Sequence, residues 1–375
     1  MDDDVPYLLL TPGPLTTTRT VKQAMLRDVS TWDRDYNDIV QDVRARLVRL
    51  ATPSANAAAT DYTSVLMQGS GTFAVEATIG SIIPRDGRLL VVNNGAYGQR
   101  IAEIASRLGI DLVTITQPEI EPADPSQIER HLAADPRITH VALVHCETTT
   151  GMVNPAAAIG QIVKRHGRVF ILDAMSSFAG MPLDMAEVGA DYLISSANKC
   201  VQGVPGFGFA IARRADLERC EGRARSLSLD LFGQWREMES KGGKWRYTSP
   251  THVLLALHQA LDELDAEGGV PARFARYSEN HRVLVEGLSQ LGFRPLLPPE
   301  HRSPIITSFL YPRDAKFSFD AMYEALKRRG FVIYPGKVSN ADTFRVGTIG
   351  HVFPADFHRL VDSFATVTKE LGWKI

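Results

Sequence analysis

The sequence predicts an α/β protein, a mostly parallel sheet covered by helices, followed by a smaller C-terminal α+β domain. Three observations predict it. From about residue 65 to residue 213, short apolar runs alternate with longer amphipathic ones. The amphipathic runs stop on glycines, the residue that most readily closes a helix. After Ala212 the alternation gives way to a mixture of helix and strand candidates. A chain of 375 residues also exceeds the size at which one core keeps growing. The expected division is a large domain over residues 15–250 and a small one over 251–375, with residues 1–14 packing against the latter.

The strand candidates of the large domain are 65–68, 89–92, 111–116, 140–145, 169–172, 192–194 and 206–212. Their β-branched and aromatic residues, among them Val65, Val91, Val141, Phe170 and Ile211, fit strands buried on both faces. Between them, helices are expected over 73–83, over 96–108 before Gly109, and over 156–166 before Gly167. In a parallel sheet of this kind, ligands bind beyond the carboxyl ends of the strands. Residues 213–250 read as polar and irregular. A long helix then places Leu254, Leu257, Leu261 and Leu264 on one face and ends at Gly268-Gly269. The small domain offers strand candidates at 305–310, 331–334 and 343–346.

Composition narrows the function. With 44% hydrophobic and 22% charged residues, the chain is an ordinary globular one. A formal net charge of −2 gives no electrostatic case for nucleic acid or an anionic membrane. No apolar stretch approaches a membrane span. The opening Met-Asp-Asp-Asp is acidic where a secretory signal is basic. Cys146, Cys200 and Cys220 lack metal-ligand spacing and suit reduced thiols, so a cytoplasmic location and no metal are expected. His145 and Cys146 are neighbours on a strand and point to opposite faces, which argues against a shared ligand.

The polar signals cluster at the strand ends. Lys199 follows the apolar run 191–198 and precedes the glycine-rich Gly203-Val-Pro-Gly-Phe-Gly208; Asp173 ends the run 168–173. One amine and one carboxylate at the ends of two buried strands meet the needs of a pyridoxal 5′-phosphate (PLP) enzyme. The amine forms a Schiff base and the acid holds the pyridine nitrogen protonated. Each has a plainer reading: Lys199 can snorkel to water, and Asp173 can cap a helix after Ala174. Small, apolar neighbours favour a desolvated amine of lowered pKa at Lys199.

Gly69-Ser-Gly-Thr72 lies between a strand and a helix. It is either a phosphate cradle or a tight turn with Thr72 as N-cap, and it lacks the Gly-Lys-Ser/Thr of a P-loop. Tyr97, opening the next helix candidate, can stack on a flat ring or fill the core. In His145-Cys-Glu-Thr-Thr-Thr-Gly151 the threonines offer hydroxyls to a cofactor. Arg345, in Thr343-Phe-Arg-Val-Gly-Thr-Ile-Gly350, can grip a carboxylate or phosphonate or make a surface ion pair.

Taken together, these motifs resemble the aminotransferase class V group of fold-type I PLP enzymes. The resemblance rests on Leu10-Thr-Pro-Gly-Pro-Leu15, Gly69-Ser-Gly-Thr72, His145-Cys-Glu-Thr-Thr-Thr-Gly151, Asp173-Ala-Met-Ser-Ser177, Ser195-Ser-Ala-Asn-Lys-Cys200 and Arg246-Tyr-Thr-Ser-Pro-Thr-His252. They stand in the family's order across nearly the whole chain. The resemblance implies Lys199 as the Schiff-base lysine and proton carrier, with Asp173 on the pyridine nitrogen and Tyr97 stacked on the ring. It places Ser70, Gly71 and Thr72 around the phosphate and Thr148 near the ring hydroxyl. Met175 and Asn198 would border the cofactor. Thr248 would reach it from the other subunit of a homodimer, and Arg345 would bind the substrate's acid group. Arg246, Lys241 and Arg19 are candidates for further cations around that group. Asn198 and Tyr97 depart from the glutamine and tryptophan common in the wider group. Rival readings are a sibling transaminase acting on serine or alanine with glyoxylate, a PLP lyase or desulfurase, and a non-catalytic nucleotide-binding module.

Overall fold

The computed structural model describes residues 6–54 and 61–375. The first five residues of the acidic start lie outside the described ones. Helix α1 (Arg34–Ala51) leads into a seven-stranded sheet made of β1 (Tyr62–Gln68), β2 (Arg88–Asn93), β3 (Asp111–Thr116), β4 (Ile138–Val144), β5 (Val169–Asp173), β6 (Tyr192–Ser196) and β7 (Phe207–Arg213). The order across the sheet is β1-β7-β6-β5-β4-β2-β3. β7 runs antiparallel to both its neighbours, and the other pairings are parallel.

Alternation along the strands builds two cores. Phe170 and Leu172 of β5 join one cluster with Val40 and Leu47 of α1; Ile171 between them faces the other. That second cluster takes in Ile79 of α2 (Gly71–Ile82) and Ile101 of α3 (Ala96–Arg107). α3 and α4 (Ala156–Arg165) stop before Gly109 and Gly167, each at φ +63°, a conformation that favours glycine. Helix α2 begins two residues earlier than its pattern suggested, so Ser70 and not Thr72 is the N-cap.

Residues 213–250 are not irregular throughout. α5 (Leu231–Ser240) buries Leu231, Trp235 and Met238, a helical spacing hidden by the polar residues between them. Its Gln234 Nε2 and Trp235 Nε1 donate to Leu66 O and Thr63 Oγ1 of β1, at 3.0 and 3.2 Å.

Packing crosses the expected break at 250/251. In α6 (Thr251–Glu267), Leu254, Leu257, Leu261 and Leu264 lie in the same core as α1 and Phe209 of the large sheet. The turn at Gly268 then starts α7 (Gly269–Gln290). The small sheet comprises β8 (Ile306–Leu310), β9 (Tyr334–Pro335) and β10 (Thr343–Gly347), with β10 between the other two and all pairings antiparallel. The single strand expected over 331–334 is divided. Phe331–Val332 pairs in parallel with Leu8–Leu9, and Tyr334–Pro335 joins β10. No helix among the described residues is long and apolar enough to cross a membrane.

Candidate active site

Lys199 sits in a turn just beyond β6, and Asp173 is the last residue of β5, in register with Ile194 of β6. Adjacent parallel strands therefore deliver both groups to one edge of the sheet. They line a cavity of about 480 Å³ together with Ser70, Gly71, Thr72, Tyr97, Met175 and Asn198. A larger cavity of about 1060 Å³ lies elsewhere, walled by Leu50, Pro53, Leu183 and Val270; it contains no lysine.

The turn carrying Lys199 is held from both domains. Gln202 adopts φ +68°, a strained position for a residue with a side chain, and its N–H closes the turn on Lys199 O at 2.8 Å. Its Nε2 donates to Tyr277 Oη at 2.6 Å and Gly350 O at 3.1 Å. Arg273 Nη1 donates to the carbonyls of Cys200 and Val201. A lysine fixed by this many contacts does not snorkel freely.

Lys199 Nζ donates to Pro12 O at 2.7 Å, which brings the N-terminal loop over the site. Gly13 has φ +121°, which favours glycine, and a Cβ there would stand 2.7 Å from Nζ, so the loop comes close to the amine. Burial pulls the amine down to about 8; Cys200 and Asp173 resist the fall, while Arg100 and Arg345 add to it. Asp173 is pushed up to about 6, chiefly by burial and further by Glu147, against the Met175 N–H, Arg100 and Lys199. Its Oδ1 accepts from Met175 N at 2.9 Å, so the local cap forms, but over a turn and not a helix. His145 steadies the strand end from behind. Its N–H donates to Asp173 O at 2.8 Å and its ring nitrogen Nδ1 pairs with Ser177 Oγ, also at 2.8 Å.

The residues present fit PLP. Asp173 is a nearly inaccessible acid with no ion-pair partner among the described residues, the setting that a pyridinium N–H satisfies. The N-terminus of α2 opens on the same cavity with its free N–H groups. A Cβ on Gly71 would collide with Met175 Sδ, so the glycine keeps the floor of this cup clear. Lys199 supplies the amine.

Four participants escaped sequence reasoning. Arg100, one turn after Tyr97 on α3, lines the cavity, donates to Thr72 Oγ1 at 3.3 Å and lies 4.9 Å from the Tyr97 ring centre. The i, i+3 spacing was its only signal. Glu147 is wholly buried and accepts from Tyr97 N at 3.0 Å and from Thr149 N and Oγ1, so it pins the start of α3. The Pro12 carbonyl had no side-chain signal at all. Lys337 stands 5.5 Å from the Tyr97 ring centre.

Three expected residues do not border the cavity: Thr148, Thr248 and Arg345. Thr148 enters through its carbonyl, which accepts from Arg345 Nη1 at 3.0 Å. Arg345 also donates Nε to Pro335 O at 3.0 Å; it is buried, not the surface ion pair of the plainer reading. Thr248 is exposed. The other proposed cations are occupied elsewhere or lie apart. Arg246 pairs with Asp230, Lys241 donates to Glu237 Oε1 at 2.7 Å, and neither they nor Arg19 line the cavity.

A sheet of this topology with a half-buried lysine, a buried acid and a helix N-terminus in one cavity defines a PLP-dependent aminotransferase. The model of the aminotransferase class V family matches residues 19–341, and the chain belongs to that family. Its cofactor is PLP. The chain is 65% identical over 367 residues to a 2-aminoethylphosphonate–pyruvate transaminase of Syntrophobacter fumaroxidans, covering 98% of each. To the enzyme of the same name from Bacillus cereus it is 58% identical, over 96% of this chain and 97% of the other. Among solved structures it is similar to a ureidoglycine–glyoxylate aminotransferase from Bacillus subtilis, with TM-score 0.90 at 22% identity over 98% and 94% of the chains. A pyridoxamine–pyruvate aminotransferase from Mesorhizobium loti gives TM-score 0.88 at 24% identity over 100% and 95%.

Proposed function

We propose that the protein transfers the amino group of 2-aminoethylphosphonate to pyruvate, yielding phosphonoacetaldehyde and L-alanine, a reaction of phosphonate degradation. The observation that carries the reaction type is Lys199, a half-buried lysine whose desolvated amine has depressed basicity and shares a cavity with Asp173 and the α2 N-terminus. The relatives named for this reaction support the substrate pair.

PLP, when bound, supplies a carbonyl that takes up amines and a protonated ring that accepts the electron pair left by a departing proton. Lys199 anchors it between turnovers. Nζ, when free, would take the proton from the carbon bearing the amino group and pass it on, and the same atom would run the transfer backwards for pyruvate. Asp173 stays ionised against the pyridine nitrogen. Ser70, Gly71 and Thr72 bind the phosphate through hydroxyls and helix N–H groups. Tyr97 would stack on the ring, Met175 and Asn198 would border it, and the Thr148 carbonyl holds Arg345 through Nη1 at 3.0 Å. Arg345 receives the donor's phosphonate.

The working unit we propose is a homodimer, in which Thr248 reaches the phosphate of the neighbouring site. Exposed Phe73 and Tyr247, which flank Gly69 in an adjoining hollow, support such a contact. A monomeric mass at a concentration giving full activity would sink the dimer. The three free cysteines are consistent with the cytoplasm. A desulfurase needs a mobile thiol, whereas Cys146 and Cys200 are buried with pKa values pushed up to about 12, and Cys220 is buried against Tyr192.

The function is tested by offering the holoenzyme a panel of amino donors with pyruvate and following alanine. 2-Aminoethylphosphonate should give the highest kcat/KM. Preference for serine, or for alanine with glyoxylate, would overturn the substrate assignment and leave the class intact.

A further inference from the structure

Arg345 is a buried arginine with an unusual set of partners. Nε and Nη1 donate to backbone carbonyls, and it forms no ion pair with a carboxylate among the described residues. A buried guanidinium satisfied only by neutral acceptors is poised for an anion. One arginine, gripping in the two-pronged manner, neutralises one carboxylate. A phosphonate carries between one and two negative charges near neutrality, more than the single charge of a carboxylate, because its second ionisation falls above that of a phosphate monoester. It leaves a second charge to be matched.

The loop 336–342 supplies a candidate. It connects β9 to β10, and Arg345 itself ties its base, since Arg345 Nε bonds Pro335 O and Gly336 N bonds Thr343 O at 2.7 Å. Its far side crosses to the large domain, where Ser339 N donates to Glu119 Oε2 at 2.8 Å. Lys337 leaves the loop close to its base and holds its ammonium 5.5 Å from the centre of the Tyr97 ring. Lys337 is an exposed residue, but partial desolvation of its amine and the nearby Arg100 and Arg345 lower its pKa, and Glu147 opposes them. The ammonium is thus in the same electrostatic neighbourhood as the arginine. Arg100 is committed to the other end of Tyr97's surroundings through Thr72 Oγ1, at the phosphate cup. Lys337 has no ion-pair partner among the described residues.

We propose that Lys337, carried across the cleft on the loop 336–342, is the second cation of the donor's acid-group site and, with Arg345, selects a phosphonate over a carboxylate. This rests on the assignment of 2-aminoethylphosphonate as donor. Lys337 does no bond chemistry. It places a mobile point charge where the phosphonate's second charge falls, while Arg345 sets the direction of the grip. A flexible lysine on a loop also suits a group that must let a substrate in and a product out.

The test is made on holoenzyme with ethylphosphonate, which carries the acid group without the amine, and with propanoate as its carboxylate counterpart. In Lys337→Gln the Kd for ethylphosphonate should rise about tenfold or more, the equivalent of about 1.4 kcal/mol. The Kd for propanoate should move less than about threefold, a difference worth about 0.6 kcal/mol. Lys337→Arg, which keeps the charge, should restore ethylphosphonate binding. The kcat/KM for 2-aminoethylphosphonate should follow the same pattern. If Lys337→Gln binds ethylphosphonate as the wild type does, or weakens both acids equally, the role of Lys337 is overturned and the donor assignment stands. If the wild type neither binds ethylphosphonate nor turns over 2-aminoethylphosphonate, the donor assignment itself fails and takes this inference with it.

Discussion

At the ends of β5 and β6, Asp173 and Lys199 are placed by strands that pair residue by residue within a seven-stranded sheet. Arg345 and Lys337, which do not line that cavity, are placed by three short strands and a loop. The first region is rigid. Its lysine turn is gripped by Arg273 and by Gln202, which is itself held by Tyr277 and Gly350. The second is tied at its base, and its Ser339 N–H reaches the Glu119 carboxylate. The difference matches the tasks: proton transfer needs an amine fixed to a fraction of an ångström, whereas an acid-group receptor must open and close on each substrate.

The comparison is broken most directly at Lys199. Lys199→Ala should lower kcat by about a thousandfold or more, the scale on which a lost acid–base group is felt. Circular dichroism and mass should not change. A residual activity within about tenfold of wild type would mean that the rigid side does not carry the chemistry.

Asp173→Asn should cost about a hundredfold in kcat, the equivalent of a lost charge-assisted hydrogen bond of about 3 kcal/mol. It should also stabilise the cofactor-free protein at pH 7. The folded pKa of about 6 lies above the ordinary 3.8. Stability from this group is therefore fully present below pH 3.8 and is lost as pH rises through 6. Asparagine removes that loss, so denaturant melts of the apoprotein should differ by about 1–3 kcal/mol at pH 7 and converge below pH 4. Equal stability at both pH values would show that Asp173 is not buried as a charge.

On the movable side, effects should fall on binding. Arg345→Lys should raise the donor KM by about tenfold, because lysine lacks the planar fork, with kcat changed by less than about threefold. Steady-state kinetics with 2-aminoethylphosphonate checks this. A fall in kcat with KM unchanged would place Arg345 among the groups that act in the transition state.

The smallest effect concerns pH. The neutral form of the Lys199 amine is the one that captures PLP, and burial brings its pKa down to about 8. Stopped-flow absorbance should show the uptake of PLP by apoprotein accelerating as pH rises and levelling off just above 8. A rate still climbing steeply at pH 10 would show an amine of ordinary basicity.

Legibility in the sequence divides along the same line. Lys199 and Asp173 were visible because each ends an apolar run, where an unpaired charge is out of place. Gly69-Ser-Gly-Thr72 was visible because the strand, glycines and helix are contiguous. Arg100 and Glu147 were not, because each stands in a run already explained by a neighbour. Lys337 was not, because its loop has no periodicity and its ring partner, Tyr97, lies 240 positions earlier in the chain. The helix α5 and the core that receives α6 were not legible for a related reason: apolar faces show which side is buried, not which core receives it.

By itself the sequence determined the strand–helix alternation, the amine and acid at the strand ends and the glycine-lined cup, all set by contiguous residues and local periodicity. Only the tertiary structure decided that Pro12 covers Lys199, that Tyr277 and Arg273 brace its turn, and that Arg345 lies over the Tyr334 ring while Lys337 lies over that of Tyr97. Those contacts join segments far apart in the chain. Their free energy depends on burial and distance, which exist only once the chain has folded.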